Sequence, residues 1–183
     1  MIFSHRLKSK LSCYFVCFLF TGIPFCLPAA DENSLVLAHK PPILTTTAII
    51  EVYEGTKFQG IVLIERGKAP FGKAIPGGKV EYGETVEHAV RREMKEEVDL
   101  YLTDVQQFHV YSDPSRDFRH HSVEVTHIAK AFKNPKAGDD AAKAFVVKLE
   151  DIPWNELVFD HAKILRDYIS WRNTTIMVSI PDA

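Results

Sequence analysis

Residues 74–100 read AIPGGKVEYGETVEHAVRREMKEEVDL, and this stretch limits the fold more tightly than any other. Pro76, Gly77 and Gly78 punctuate the chain as a turn. From Thr85 to Val98 the apolar residues Val86, Ala89, Val90, Met94 and Val98 recur at helical spacing, which predicts an amphipathic helix with one buried stripe. Thr85 is placed to cap its start, and Glu87 suits its first turn. Glu93, Glu96, Glu97 and Asp99 crowd the C-terminal end, where the helix dipole favours cations instead. Positions 93 and 97 lie one turn apart with 96 beside them, so three carboxylates share one helix edge. Such a cluster suits a hard divalent cation, which takes oxygen ligands and keeps several waters. The competing reading is a solvated face whose acids pair with Arg91, Arg92 and Lys95.

Around this segment the pattern alternates strand and helix. LTTTAIIEVY and GIVLIER read as strands, and GKAPFGKAIPGG between them and the helix reads as loop. DVQQFHVYSD and HSVEVTHIAKAF are further strands about the loop DPSRDFRH. NPKAGDDAA is a turn before the strand KAFVVKL. Asp160 to Trp171 predicts a closing helix with Ala162, Ile164, Leu165, Tyr168 and Ile169 on its buried stripe. Strands before, between and after two helices suggest a mixed sheet covered on both faces. The chain shows no internal repeat.

Gly78, Glu84, Arg92, Glu93, Glu96 and Glu97 carry a more specific signal: glycine, five residues, glutamate, seven residues, then REMKEE. This 23-residue pattern resembles the Nudix box. It departs from that box at one position, where the family's final glycine is Asp99. Aspartate adopts the left-handed conformation needed there at a cost of about 1 kcal/mol. The resemblance implies an α/β/α sandwich with a mixed β-sheet between helices. It also implies an enzyme that hydrolyses a nucleoside diphosphate linked to another moiety. Mg2+ or Mn2+ would be held by Glu93, Glu96, Glu97 and the backbone carbonyl of Gly78, with Glu93 orienting or deprotonating the attacking water. Arg92 and Glu84 would pair to fix the helix and loop.

The stretch VYSDPSRDFRHHSVEVTHIA, with Pro114 fourteen residues after Leu100, is similar to the ADP-ribose pyrophosphatase branch of that family, as are AGDDA and FDHAKIL. This implies ADP-ribose as substrate, split to AMP and ribose 5-phosphate. Arg116 and Arg119 suit a terminal phosphate or ribose, because a guanidinium presents a donor fork; alternatively they pair locally with Asp113 and Asp117. Tyr111 could stack on adenine or belong to the core. Glu81 lies near any substrate over the Pro-Gly-Gly loop. Glu124 reads first as a surface glutamate of an alternating strand and second as a late metal ligand or base. His120, His121 and His127 do not form a zinc pattern. A MutT-like triphosphate pyrophosphohydrolase and a non-catalytic nucleotide sensor are the alternatives; sensors of this kind commonly lose box carboxylates, which this chain retains. The branch often dimerises, so a homodimer is expected.

The net charge of −2 conceals an uneven distribution. Residues 1–30 hold Arg6, Lys8 and Lys10 and no acid, so the remainder has 19 basic against 24 acidic side chains. That balance argues against a nucleic-acid partner. The first thirty residues run from a basic start through LSCYFVCFLFTGIPFCL to PAADEN, the order of a signal peptide cleaved after Ala30. An uncleaved anchor, the only membrane contact then expected, and a misassigned start are the other readings. Cys13, Cys17 and Cys26 all lie here, so a cleaved, exported product has no thiol. The expected organisation is leader 1–30, linker 31–42, catalytic domain 43–172 and tail 173–183.

Overall fold

The β-branched run ILTTTAIIEVYE forms the central strand, and Thr46 to Val52 are buried without interruption, as a strand covered on both faces requires. The computed structural model describes residues 40–138 and 141–178. The leader, the linker as far as residue 39, Asp139 and Asp140 of AGDDA, and the chain beyond 178 lie outside the described residues. The described residues from 41 onward form one compact unit. The described elements of this unit are β1 (Ile43–Glu54), β2 (Lys57–Arg66), β3 (Lys73–Ala74), β4 (Gly77–Lys79), α1 (Val86–Val98), β5 (Thr103–Tyr111), β6 (Ser122–Ala131), β7 (Ala141–Val147) and α2 (His161–Val178).

β1 pairs in parallel with β6 from Ile43 opposite Ser122 to Val52 opposite Ala131. It also takes β4 at residues 45–47 and β2 at residues 51–54, both antiparallel. β3 and β7 pair with β2, and β5 with β6, all antiparallel, so the sheet is mixed. Successive side chains of β1 leave for opposite faces. Ala48, Ile50 and Val52 join Val90, Met94 and Val98 of α1, whereas Ile49 joins Ile164, Leu165 and Tyr168 of α2. The result is the expected α/β/α sandwich. Each large apolar side chain buried in it contributes roughly 1.5–3 kcal/mol.

Both ends of α1 are secured. Thr85 Oγ1 accepts the His88 N–H at 3.2 Å. Asp99 takes the left-handed conformation, φ 52° and ψ 39°, and donates its N–H to the Met94 carbonyl. Its carboxylate meets Lys95 and, at 2.9 Å, Lys133, which offsets the strain of a residue other than glycine. Two further carbonyls at this end accept N–H bonds from a strap: Lys136 to Val98 at 2.9 Å and Gly138 to Glu97 at 2.8 Å. Gly138 passes so close that a Cβ there would lie 1.9 Å from the Glu96 carbonyl oxygen.

α2 is tied to the sheet by a buried carboxylate. Glu51 accepts from Tyr168 Oη at 2.5 Å, Tyr53 Oη at 2.9 Å and Arg172 Nε at 3.2 Å. The helix continues past Trp171 to Val178, so the expected tail from residue 173 starts as helix. The stretch expected as one loop, residues 67–78, contains β3 and the start of β4. Among the described residues no helix is long and apolar enough to cross a membrane.

Candidate active site

At the N-terminal ends of β1 and β6 the sheet opens onto a cavity of about 590 Å³. α1 supplies one wall through Arg92, Glu93, Glu96 and Glu97, and β4 brings Gly77 and Gly78 beside them. The loop before β6 contributes Arg116, Asp117, Arg119 and His120, and the start of α2 adds Phe159 and His161. Glu81 and Glu124 also line this space. Of the residues named from the sequence, Glu84 and Tyr111 do not line it.

Arg92 organises the acidic wall. Its Nη2 and Nε donate to the two oxygens of Glu84 at 2.6 and 3.2 Å, and Nη2 also reaches the Lys79 carbonyl at 3.1 Å. Its Nη1 donates to Glu93 at 2.9 Å and Glu96 at 3.1 Å. One guanidinium thus joins the loop of residues 79–84 to the helix edge. The Arg92 fork, followed by the Glu81 N–H and His88, lowers the Glu84 carboxyl to about 2. Glu93 is different: burial pushes its pKa above the ordinary value, against the pull of Arg92. Glu97 is buried and accepts the Gly77 N–H at 2.8 Å.

Among the described residues, no three His, Cys, Asp or Glu side chains form a ready-made metal cluster. The reason is visible in the bonds above: Arg92 and Gly77 turn the carboxylates toward protein partners. The donor set nevertheless fits a hard divalent cation, since six carboxylates border the cavity: Glu81, Glu93, Glu96, Glu97, Asp117 and Glu124. Gly78 leaves room for the acid beside it, because a Cβ there would lie 2.1 Å from the Glu93 carboxyl carbon.

Three expectations need correction. Tyr111 is a core residue, 5% exposed, with its hydroxyl donating to Asp167 at 3.0 Å; it cannot stack on a base in this cavity. Arg116 does not pair locally. It is buried and spans Asp160, at 2.7 and 3.1 Å, Ser122 at 2.8 Å and Glu124 at 2.9 Å, so its fork is already filled. Glu124 is no surface residue: at 4% exposure it accepts from Thr47 Oγ1 at 2.9 Å and faces the cavity, because β6 lies inside the sheet. Arg119 does pair locally, donating to both oxygens of Asp117 at 2.9 and 2.8 Å. The three histidines are dispersed: His120 beside Asp117, His121 near the Ser112 carbonyl, and His127 buried against Thr46.

Arg66, Phe159 and His161 also line the cavity and Asp160 holds Arg116 beside it, none of which the sequence singles out by role. Phe159 has a positive φ of 56°, and the guanidinium groups of Arg66 and Arg119 stand 5.2 and 4.9 Å from its ring centroid. The FDHAKIL stretch was the available signal, and it named a neighbourhood without naming a role.

The sequence model of the NUDIX domain matches residues 43–169. An ADP-ribose pyrophosphatase of Methanocaldococcus jannaschii is 43% identical over 135 residues, 72% of this chain and 76% of that protein. A MutT/nudix family protein from Enterococcus faecalis superposes with a TM-score of 0.60 at 26% identity, covering 75% of this chain and 67% of that one. The NUDIX domain of Shewanella oneidensis NrtR, complexed with ADP ribose, gives a TM-score of 0.66 at 22% identity over 78% of this chain and 98% of that chain, a likeness of fold.

Proposed function

The chain belongs to the NUDIX domain family, and from that premise we propose that it hydrolyses the pyrophosphate bond of a nucleoside diphosphate derivative, ADP-ribose foremost, to AMP and ribose 5-phosphate. The observation that carries this reading is the convergence of the α1 carboxylates and the arginines of the 116–119 loop on one cavity. Its size falls within the usual range for a small-molecule site. The 43% identical relative, an ADP-ribose pyrophosphatase, supports the choice of substrate.

Members of this family work with divalent metal ions. Here Glu93, Glu96, Glu97 and the Gly78 carbonyl would hold the ion, with Mg2+ the proposed species and Mn2+ its substitute. When bound, it supplies neutralisation of the pyrophosphate and a more acidic water. The remaining work belongs to the chain. Glu93, whose buried carboxylate is a stronger base than an exposed one, takes a proton from water as the water oxygen bonds to phosphorus. The bridging P–O bond breaks, and the leaving phosphate departs with its electron pair. Arg92 and Glu84 hold the loop against the helix. Glu81 and Arg119 contact the substrate, and Arg116 acts by fixing Asp160 and Glu124.

A panel of ADP-ribose, other nucleoside diphosphate sugars and nucleoside triphosphates with Mg2+, its products separated by chromatography, tests the reading. ADP-ribose should give the highest kcat/KM and yield AMP and ribose 5-phosphate. Preference for a triphosphate with pyrophosphate release would establish the MutT-like alternative, and tight binding without turnover would establish a sensor. Export is proposed on the leader pattern and a homodimer on the resemblance to the branch; N-terminal sequencing of protein from the native host and sedimentation test them.

A further inference from the structure

His161 opens α2, is 4% exposed and lines the cavity. Its Nδ1 lies 2.9 Å from the backbone nitrogen of Ile75, the residue just before the Pro-Gly-Gly turn. A backbone N–H can only donate, so Nδ1 is the acceptor and carries no proton. In the neutral ring the proton therefore sits on Nε2. Burial, reinforced by Arg116 and Arg66 and opposed by Asp160, lowers the pKa to about 4, so the neutral ring is the working form near pH 7. Among the described residues the Ile75 bond is the ring's one hydrogen bond. His161 lines the cavity, and with Nδ1 turned to the Ile75 N–H the ring nitrogen left for a ligand is Nε2. The Phe159 ring lies beside it, centroids 5.6 Å apart, with Arg66 and Arg119 over that same ring.

We propose that His161 contacts the substrate directly, its Nε2–H donating a hydrogen bond to a phosphate oxygen of the bound nucleotide beside the guanidinium groups of Arg66 and Arg119. The ligand's identity rests on the pyrophosphate reading above; the donor rests on geometry alone. No proton is transferred. A fixed neutral donor of this kind strengthens its bond as the phosphate oxygen gains charge during hydrolysis. Nδ1 meanwhile anchors the strand end that leads into Gly77 and Gly78, so one ring couples substrate contact to the loop beside the acidic helix.

Two substitutions separate the two nitrogens. His161→Asn can keep an oxygen near Nδ1 for the Ile75 N–H but removes the Nε2 donor. His161→Gln places an amide N–H near Nε2 but abandons Ile75. The Asn protein should keep its Tm within about 3 °C of wild type yet lose roughly 10–100-fold in kcat/KM, the effect of removing a hydrogen bond to a charged group. The Gln protein should lose roughly 3–8 °C in Tm and still recover most of the activity that Asn loses. A residue of purely structural value would give the opposite order, with activity following stability. Asn within twofold of wild type, or Gln less active than Asn, overturns the proposal. A second readout needs no turnover: ADP-ribose added without divalent cation should move the His161 Nε2 resonance in long-range 1H–15N spectra, and an unmoved resonance in the bound protein also overturns it. If wild type prefers another nucleotide, the ADP-ribose assignment falls, and the same comparisons made with that nucleotide still decide His161.

Discussion

Glu97 differs from Glu96 in its surroundings: Glu97 is buried against the Gly77 N–H, whereas the side chain of Glu96 is 52% exposed. Glu97→Gln keeps an oxygen for that N–H, and Glu96→Gln disturbs no packing, yet each removes a charge from the proposed ligand set. Each variant should lose at least about 100-fold in turnover while staying folded, checked by Mg2+ titration of activity beside a thermal melt. Near-normal turnover at saturating Mg2+ would remove that residue from the set. His161 leads to a prediction about pH. Its folded pKa of about 4 lies below the unfolded value of 6.5, so the unfolded chain binds the proton first as pH falls. The stability is fully present above pH 6.5 and is lost toward pH 4, up to roughly 3 kcal/mol. His127, lowered by burial, acts in the same direction, and Glu93, raised by burial, opposes both. Urea titrations at pH 7 and pH 5 should show the loss, and His161→Asn should reduce it. At this scale the sequence exposed residues whose partners are near in the chain, such as the box carboxylates. It concealed Arg116, whose ligand Asp160 lies 44 residues away, and Glu124, whose burial depends on which strands flank β6.

Among the elements, α1 was legible from end to end because its buried stripe, cap and box occupy consecutive turns of one helix. β3 and β4 were not, since strands of two and three residues carry no period and exist by pairing with β2 and β1. The strap at residues 136–138 was equally silent, because two backbone N–H groups reaching α1 leave no side-chain signature. Its dependence on glycine can be tested. In Gly138→Ala the new methyl meets a backbone oxygen, so the strap must move and forfeit bonds to the last turn of α1. The expected loss is about 1–3 kcal/mol in urea denaturation. An unchanged midpoint would show that the strap adjusts freely.

Across the whole molecule, the two faces of the sheet are joined to the helices by different means. α1 is held by apolar packing and the strap, whereas α2 adds the Glu51 carboxylate to its own apolar stripe. Glu51→Ala leaves Tyr168 Oη and Arg172 without that partner and should cost about 3–5 kcal/mol, with α2 becoming the first site of limited proteolysis. A smaller loss from Tyr168→Phe would apportion the cost between hydroxyl and charge. The β1–β6 pair has a further consequence in time. Ile43 waits for Ser122 and Val52 for Ala131, so the longest ladder in the fold closes a loop of nearly eighty residues. Such nonlocal pairing slows the search for the native topology. During synthesis β1 emerges well before β6, and until then its apolar run presents an unpaired edge to other nascent chains. Productive folding therefore depends on how long that edge is shielded: conditions that slow elongation between residues 54 and 122 should favour aggregation over assembly.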